Sequence, residues 1–353
     1  MQKPTVSIVI PTYNGRPLLI QCLASLGAVS WPGVRVIVVD NGSCDQTAHF
    51  VRKDFPEVEL IHLESNTGFA GGCNVGAKAA QGEWLVFLNN DTVVESGWLE
   101  TLLDRACSDQ NCGVCTSKIR MLSDRRRLDS IGSFLTPFGF LRHVGLLERD
   151  HGQYDSLKEI FSPKGVAFAI RRELFEAIGG FDERYFAYFE ESDLFWQVWL
   201  RGLKIFFAPD SIVYHKVGGT AATFHYAFVD YHSFKNRIRT ILKNTENLTL
   251  LWMLPLHLAC CLGLVFVNLL KVSRWKNAWA ILRAMGWNIL VLPDTLKLRR
   301  RIQGSRKISD RELFKHALRP VPIKDFARYV FWMVFSRERM RTQMQEAVSP
   351  CSS

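Results

Sequence analysis

The sequence predicts an α/β fold, a doubly wound parallel sheet followed by a helical, basic C-terminal region. Three observations carry that prediction. Short apolar or β-branched runs alternate with helical-period segments through the first half of the chain, which is the pattern of βαβ units. Several of these runs stop abruptly at polar residues, as Leu85-Val86-Phe87-Leu88 does at Asn89-Asn90-Asp91. Beyond Asn236 the chain turns to long apolar stretches flanked by Lys and Arg.

Val6 to Ile10 reads as the first strand, closed by Pro11-Thr12-Tyr13-Asn14-Gly15. Leu18, Leu19, Cys22, Leu23 and Leu26 then recur at helical spacing. Val34 to Val39 is a second buried strand, ending in Asp40-Asn41-Gly42-Ser43, and a helix follows over Cys44 to Lys53. Val58 to Leu63 is the third strand. The Gly-rich turn Asn66 to Gly76 opens the next helix, and Glu83 to Leu88 is the fourth strand. In a parallel sheet the loops after these strands share the carboxyl edge, where open α/β sheets bind ligands.

A helix is expected over Trp98 to Cys107, then an irregular segment from Ser117 to Ile160. Gly165 to Arg172 reads as a strand feeding the helix Glu173 to Ile178, which Gly179 caps. Leu203 to Ala208 and Val213 to His215 complete the region.

With 353 residues, 48% of them hydrophobic, the chain can bury a full core and has room for more than one domain. The formal net charge of +10 admits nucleic acid, an anionic membrane surface or acidic small molecules as partners. Nucleic acid is the weakest of these, since the basic excess flanks the C-terminal apolar region and no nucleic-acid module is recognisable. The nine cysteines are scattered; Cys112-Gly-Val-Cys115 has no second pair and reads as ordinary reduced thiols rather than a zinc or redox site. The first strand begins almost at once, with no apolar leader, so a non-secreted chain with a cytosolic active site is expected.

Each polar cluster has two readings. Asn89-Asn90-Asp91 is either a plain turn or a ligand-binding strand end. The Gly-rich turn lacks the G-x-G-x-x-G order of dinucleotide folds; it either needs positive φ or brings backbone N–H groups to a phosphate. Glu190-Glu191-Ser192-Asp193 either complements a helix start or holds a general base, because adjacent carboxylates raise each other's pKa. His215 is either a satisfied structural histidine or a ligand.

Taken together in this order, Val6 to Asn14, Val36 to Ser43, Asn66 to Gly76, Leu88 to Asp91, Gly179 to Asp182, Phe189 to Leu194 and His215 resemble the inverting family-2 glycosyltransferases. Rhamnosyltransferase-like members are the nearest likeness. The resemblance implies a GT-A nucleotide-sugar-binding fold over residues 1–225. Pro11, Tyr13, Asn14, Asp40 and Asn41 would hold the nucleotide, and Gly68, Gly72 and Asn74 would line the donor cleft. Asn89, Asn90 and Asp91 would occupy the D-x-D site, with Asp91 and His215 as metal ligands. Glu191 would be the general base. Asn stands where the first Asp of D-x-D is common, and Glu where the base is commonly Asp. A TDP-, UDP- or GDP-sugar donor and a divalent cation, Mg²⁺ or Mn²⁺, are implied, with transfer of one sugar, rhamnose being a candidate, to a lipid-linked or cell-surface polysaccharide acceptor. The Q-x-x-R-W signature of processive synthases is absent. The rival functions are a sugar nucleotidyltransferase, whose phosphate loop would follow the first strand, and an inactive nucleotide- or glycan-binding scaffold.

Residues 226–353 form the expected helical, membrane-associated region. Leu248 to Leu270 is almost uncharged and long enough to cross a bilayer. Its flanks are basic on both sides, Lys235, Arg237, Arg239 and Lys243 before it and Lys271, Arg274 and Lys276 after it. A single span wants that excess on one side only. A re-entrant or in-plane helix on the cytoplasmic face is therefore favoured, joined by an amphipathic Trp279 to Leu296 and the basic Lys297 to Lys307. A single span and a buried core helix remain the alternatives.

Overall fold

The computed structural model describes residues 3–217, 226–270 and 274–319. Gly218 and Gly219, Lys271 and the end of the chain from residue 320 lie outside the described residues. By packing, the chain divides into two units, one of residues 1–133 and 143–216, the other of residues 134–142 and 217–353. Residues 134–142, which a linear division leaves with the sheet region, group with the helical one.

In the first unit β1 (Val6–Thr12), β2 (Arg35–Asp40), β3 (Glu59–His62) and β4 (Trp84–Leu88) alternate with α1 (Arg16–Leu26), α2 (Thr47–Asp54) and α3 (Gly68–Ala79). Next come β5 (Thr92–Val94), α4 (Trp98–Cys107), β6 (Cys112–Met121) and β7 (Leu128–Ser130). The hairpin β8 (Gly132–Leu135) with β9 (Leu141–Val144) pairs apart from the main sheet, its outer part counted with residues 134–142 in the other unit. The unit ends with β10 (Ala167–Arg171), α5 (Arg172–Ile178), α6 (Glu190–Leu200) and β11 (Lys204–His215). The main sheet runs β3-β2-β1-β4-β10-β6-β11-β5, with β7 on β6.

Only β3, β2, β1 and β4 form the uniformly parallel half. β10 enters antiparallel between β4 and β6, and β5 is antiparallel to β11. The sheet is therefore mixed, which corrects the all-parallel expectation: an apolar run such as Ala167–Ile170 shows that a strand is buried, not which way it runs. The reversal matters, because it brings the amino end of β10 to the carboxyl end of β4, with Ala167 opposite Leu88. The segment 117–160, expected to be irregular, supplies β6 to β9. Cys112 and Cys115 are buried on β6.

The core explains the order of elements. Val6, Ile8 and Ile10 of β1 face the same way as Val86 and Leu88 of β4, and both pack with Leu19, Cys22 and Leu23 of α1 and Leu99, Leu102 and Leu103 of α4. On the other face Phe87, Phe168, Phe175 and Phe181 stack with ring centroids 5.2 to 5.4 Å apart. With both faces covered, the polar strand ends at the rim are the exposed chemistry.

The second unit contains α7 (Tyr226–Asn244), α8 (Asn247–Leu269), α9 (Trp275–Leu290), α10 (Leu292–Gly304) and α11 (Asp310–Ala317). The expected amphipathic stretch 279–296 is broken between α9 and α10, where Pro293 starts the new helix. α8 is the one described helix long and apolar enough to cross a membrane by length and composition. It is one-sided in its packing: Thr249, Met253, His257, Cys261, Leu264 and Asn268 are buried, at helical spacing.

Candidate functional site

Sheet direction gathers the site at one rim. The turn between β4 and β5 carries Asp91, and the end of β11 carries His215. Thr92 lies opposite His215 in the ladder, and the Lys216 N–H donates to the Asp91 carbonyl at 2.9 Å. This pairing sets His215 Nε2 3.3 Å from Asp91 Oδ1, both side chains buried. On its other side, His215 Nδ1 lies 2.8 Å from Asp129 Oδ2. Asp129, on β7, is wholly buried and takes the Lys164 ammonium on both oxygens, at 2.8 and 2.6 Å.

Charge follows from this packing. Burial works against a charged imidazole, but the Asp91 carboxylate and the Asp129 hydrogen bond outweigh it and lift His215 to about 9. Burial would likewise raise Asp129; Lys164 and His215 overcome it and hold that carboxyl well below the usual range. Asn89 Oδ1 is buried with no hydrogen-bond partner among the described residues, and beside Asp91 Oδ1 stands only the His215 imidazole among them.

At the start of α6, Phe189 adopts φ 74° and sends Glu190 and Glu191 into the first turn. Burial raises both carboxyls, and they are separated by what they face. Glu190 is pushed well up by burial and by its neighbour's charge, and its field reaches the buried thiol of Cys73 on α3. Glu191 is half-buried, feels the Lys164 charge, and accepts a hydrogen bond from Glu190, both of which favour its ionised form. Gly165 lies against it: a side chain there would stand 3.2 Å from Glu191 Cγ. Asp193 is spent internally, accepting from Tyr185 and Gln197.

The nucleotide-side residues converge, although most of their polar atoms are already used. Asn14 Oδ1 accepts the Cys44 N–H at 2.8 Å, and its own N–H donates to Ser43 Oγ at 2.9 Å. Asp40 accepts the Ser43 N–H and lies 2.8 Å from His62 Nδ1. Asn41 donates to the Gly68 carbonyl and accepts from Thr67 N and Oγ1. These three lace the β1, β2 and α3 loops into one rim. Pro11 is buried in it, whereas Tyr13, 37% exposed, presents its ring to solvent.

Three expectations change. Asn74 does not line an open cleft; it is buried and exchanges hydrogen bonds with the Phe181 N–H and carbonyl, both at 2.9 Å. Asn90 is also buried and donates to Thr12 Oγ1 at 2.8 Å, tying β1 to the turn after β4. The start of α3 is not an open phosphate cradle. The Gly68 N–H goes to Asn66 Oδ1 and the Ala70 N–H to the Phe186 carbonyl. Gly68 has φ +78°, and a side chain there would overlap Phe186, so this glycine serves the turn. Gly72 lets α3 approach Pro11 and Asn41.

Asp129, Lys164 and His62 are the residues that sequence reasoning missed. Asp129 sits in the segment taken as irregular, and Lys164 precedes a strand whose reversed direction alone brings it to the rim.

Among the described residues, no three His, Cys, Asp or Glu side chains form a ready metal cage. The residues nevertheless fit a divalent cation. Ligands at adjacent corners of an octahedron with bonds of ~2.1 Å stand about 3 Å apart, near the 3.3 Å between Asp91 Oδ1 and His215 Nε2. Mg²⁺ sites of this kind use one or two protein ligands and take substrate phosphates for the rest. The Asp91 carboxylate and the unpartnered Asn89 oxygen are chemically suited to that coordination sphere.

A mixed sheet with a polar rim of this composition defines a nucleotide-sugar transferase fold of the GT-A type. Residues 7–179 match glycosyl transferase family 2, and the chain belongs to that family. Among curated relatives it is similar to the N-acetylglucosaminyl-diphospho-decaprenol L-rhamnosyltransferase of Mycobacterium tuberculosis, 27% identical over 235 residues that cover 60% of this chain and 76% of the relative. Among solved structures it resembles GalNAc-T7 with UDP, GalNAc and Mn²⁺ at a TM-score of 0.54 and 18% identity, covering 69% of this chain and 48% of that one. It also resembles the mannosyltransferase PcManGT of Pyrobaculum calidifontis with GDP-Man and Mn²⁺, at a TM-score of 0.50 and 19% identity over 86% of each chain. These two likenesses establish the fold alone.

Proposed function

We propose that this glycosyltransferase moves one sugar, with rhamnose the leading candidate, from a nucleoside-diphosphate donor to a lipid-linked acceptor, inverting the anomeric centre. The observation that carries the reading is one connected network. Asp91 and His215, from distant segments, are joined to Asp129 and Lys164 by direct contacts, and the Lys164 charge extends to Glu191 without an ion pair. Tyr13 and the rim held by Asp40 and Asn41 are assigned to the nucleotide. Asp91 and His215 would hold Mg²⁺ or Mn²⁺, which supplies positive charge against the departing diphosphate. Glu191 takes the proton of the acceptor hydroxyl as its oxygen attacks the anomeric carbon opposite the leaving group. Burial and the neighbouring Glu191 charge favour the protonated form of Glu190. The rhamnose and lipid-linked parts are supported by the activity for which the mycobacterial relative is named.

The helical unit supports binding at a membrane surface by an in-plane helix. Leu251, Phe266, Trp279, Ile289 and Leu290 are each more than half exposed. Lys297, Arg300 and Arg301 are exposed on α10. α8 packs against α7, whose buried residues include Asp230, Lys235, Arg239 and Lys243. A spanning α8 would draw these charges towards hydrocarbon, at about 2.5–3.5 kcal/mol for each ion at the bilayer centre. An in-plane helix avoids that cost.

Donor turnover tests the proposal. Purified chain in detergent would be offered TDP-, UDP- and GDP-sugars with Mn²⁺ or Mg²⁺, with and without lipid extract, and nucleoside diphosphate release measured. Support is release that needs metal and lipid extract, selects one donor, and falls in Asp91→Ala and Glu191→Gln. Release that ignores metal and both substitutions would reject these roles.

A further inference from the structure

We infer that Lys164 and Asp129 are positioning residues for the metal edge, holding His215 Nε2 on Asp91 from behind. The inference rests on the metal reading of Asp91 and His215, and it assigns a function to two residues outside the recognised motifs.

Asp129 is the only described carboxylate at hydrogen-bonding distance from His215 Nδ1, at 2.8 Å. It can only accept there, so Nδ1 carries the hydrogen and Nε2 is the atom left for Asp91 or a cation. An imidazole held this way cannot rotate without stranding a buried carboxylate. Asp129 is itself fixed by Lys164, which grips both of its oxygens. A wholly buried carboxylate is costly unless paired, and Lys164, 34% exposed at its side chain, supplies the pairing from the rim. The relay is set by topology. β7 brings Asp129 in through its pairing with β6, and the reversed β10 brings Lys164 to the same rim. The Lys164 charge also reaches Glu191, so one ammonium serves both the metal edge and the base.

The test measures Mn²⁺ uptake by the intact chain, with no donor present, from loss of the free-ion electron paramagnetic resonance signal. The variants are Asp91→Ala, Asp129→Asn, Lys164→Met and Lys164→Arg, each checked by its melting curve. Losing a supporting carboxylate of this kind typically costs 10–100-fold in metal affinity. We expect Asp129→Asn and Lys164→Met to weaken Mn²⁺ binding about tenfold or more. Lys164→Arg should restore most of it. A role in folding alone would lower the melting point without moving affinity. Wild-type affinity in folded Lys164→Met, with Asp91→Ala defective, would overturn the relay and spare the metal reading. Unchanged or undetectable uptake in both wild type and Asp91→Ala would remove the metal reading, and the relay with it.

Discussion

Asp91 and His215 face each other across 3.3 Å, and the ladder between β5 and β11 holds them there. An imidazole nitrogen and a carboxylate oxygen this close need a cation between them, either a proton or a metal. Asp91→Asn keeps the shape and removes the negative charge that attracts either. We expect it to lower kcat/KM about 10²–10³-fold, the usual effect of losing one preorganised electrostatic contact. Added Mn²⁺ should recover only part of the loss. Steady-state kinetics across a metal series checks this, and near wild-type kinetics at low Mn²⁺ would speak against a shared cation.

With Glu191 as the proposed base, its ionisation should set the acid limb of the rate. Burial raises its pKa, with Lys164 and the Glu190 hydrogen bond opposing. A base must be ionised, so kcat should fall as pH drops through that raised value and be full above it. Glu191→Gln should lose about 10²-fold or more and flatten the limb. A limb that persists in Glu191→Gln would assign it to another group.

Gly165 tests the placement of that base without altering its chemistry. An alanine methyl would sit 3.2 Å from Glu191 Cγ and 3.3 Å from its Cβ, so one side must yield by a few tenths of an ångström. Misplacing a reacting group by 1 Å costs about 10²-fold, and this smaller shift should cost roughly tenfold. The loss should appear in kcat while the donor KM stays put. A change confined to donor KM would show that Gly165 serves the nucleotide instead.

The readable parts of the site were those carried by local sequence. Strand runs that end in polar residues point to Asp91 and Asp40 as candidates, and the double carboxylate at a helix start points to Glu191; the structure puts the first two at strand ends and the third in the first turn of α6. What stayed hidden depends on partners brought from afar. Asn74 and Asn90 look like ligand-facing amides until Phe181 and Thr12 arrive to consume them. The glycines before α3 suit a phosphate until Asn66 and Phe186 fill the place. The direction of β10 leaves no mark on its hydrophobic pattern, yet it alone delivers Lys164.

The raised pKa of Glu190 has a thermodynamic signature. Burial, then the charge of Glu191, raise its pKa well above the unfolded value. Above the unfolded value the folded chain therefore binds more protons than the unfolded one, and stability falls as pH rises. The group's contribution is complete below the unfolded pKa and is lost as pH climbs through the folded one. Glu190→Gln removes this dependence and keeps the volume. It should raise the melting temperature at pH 8 and change it little at pH 4. Relief of a buried, poorly satisfied carboxyl is worth about 1–3 kcal/mol, or roughly 2–4 °C per kcal/mol in a domain of this size. Melting curves of the two proteins across pH decide it, and parallel curves would mean that Glu190 is ionised in the folded chain.

The helical unit offers the last prediction, a test of the proposed membrane-surface binding. Phe266 and Ile289 are 63% and 73% exposed, and burying such a side chain in lipid is worth about 1.5–3 kcal/mol. Phe266→Glu or Ile289→Glu should therefore weaken binding to anionic vesicles by about tenfold or more. Exposed Lys297, Arg300 and Arg301 should make the same binding fall with salt, at about 1 kcal/mol per cation near the surface. Because α8 packs against α7, which carries buried charged residues, alkaline carbonate should strip the chain from membranes. Vesicle flotation of the full chain reads all three effects. Retention through carbonate, with binding indifferent to salt and to both substitutions, would instead require α8 to cross the bilayer and α7 to give up its packing against it.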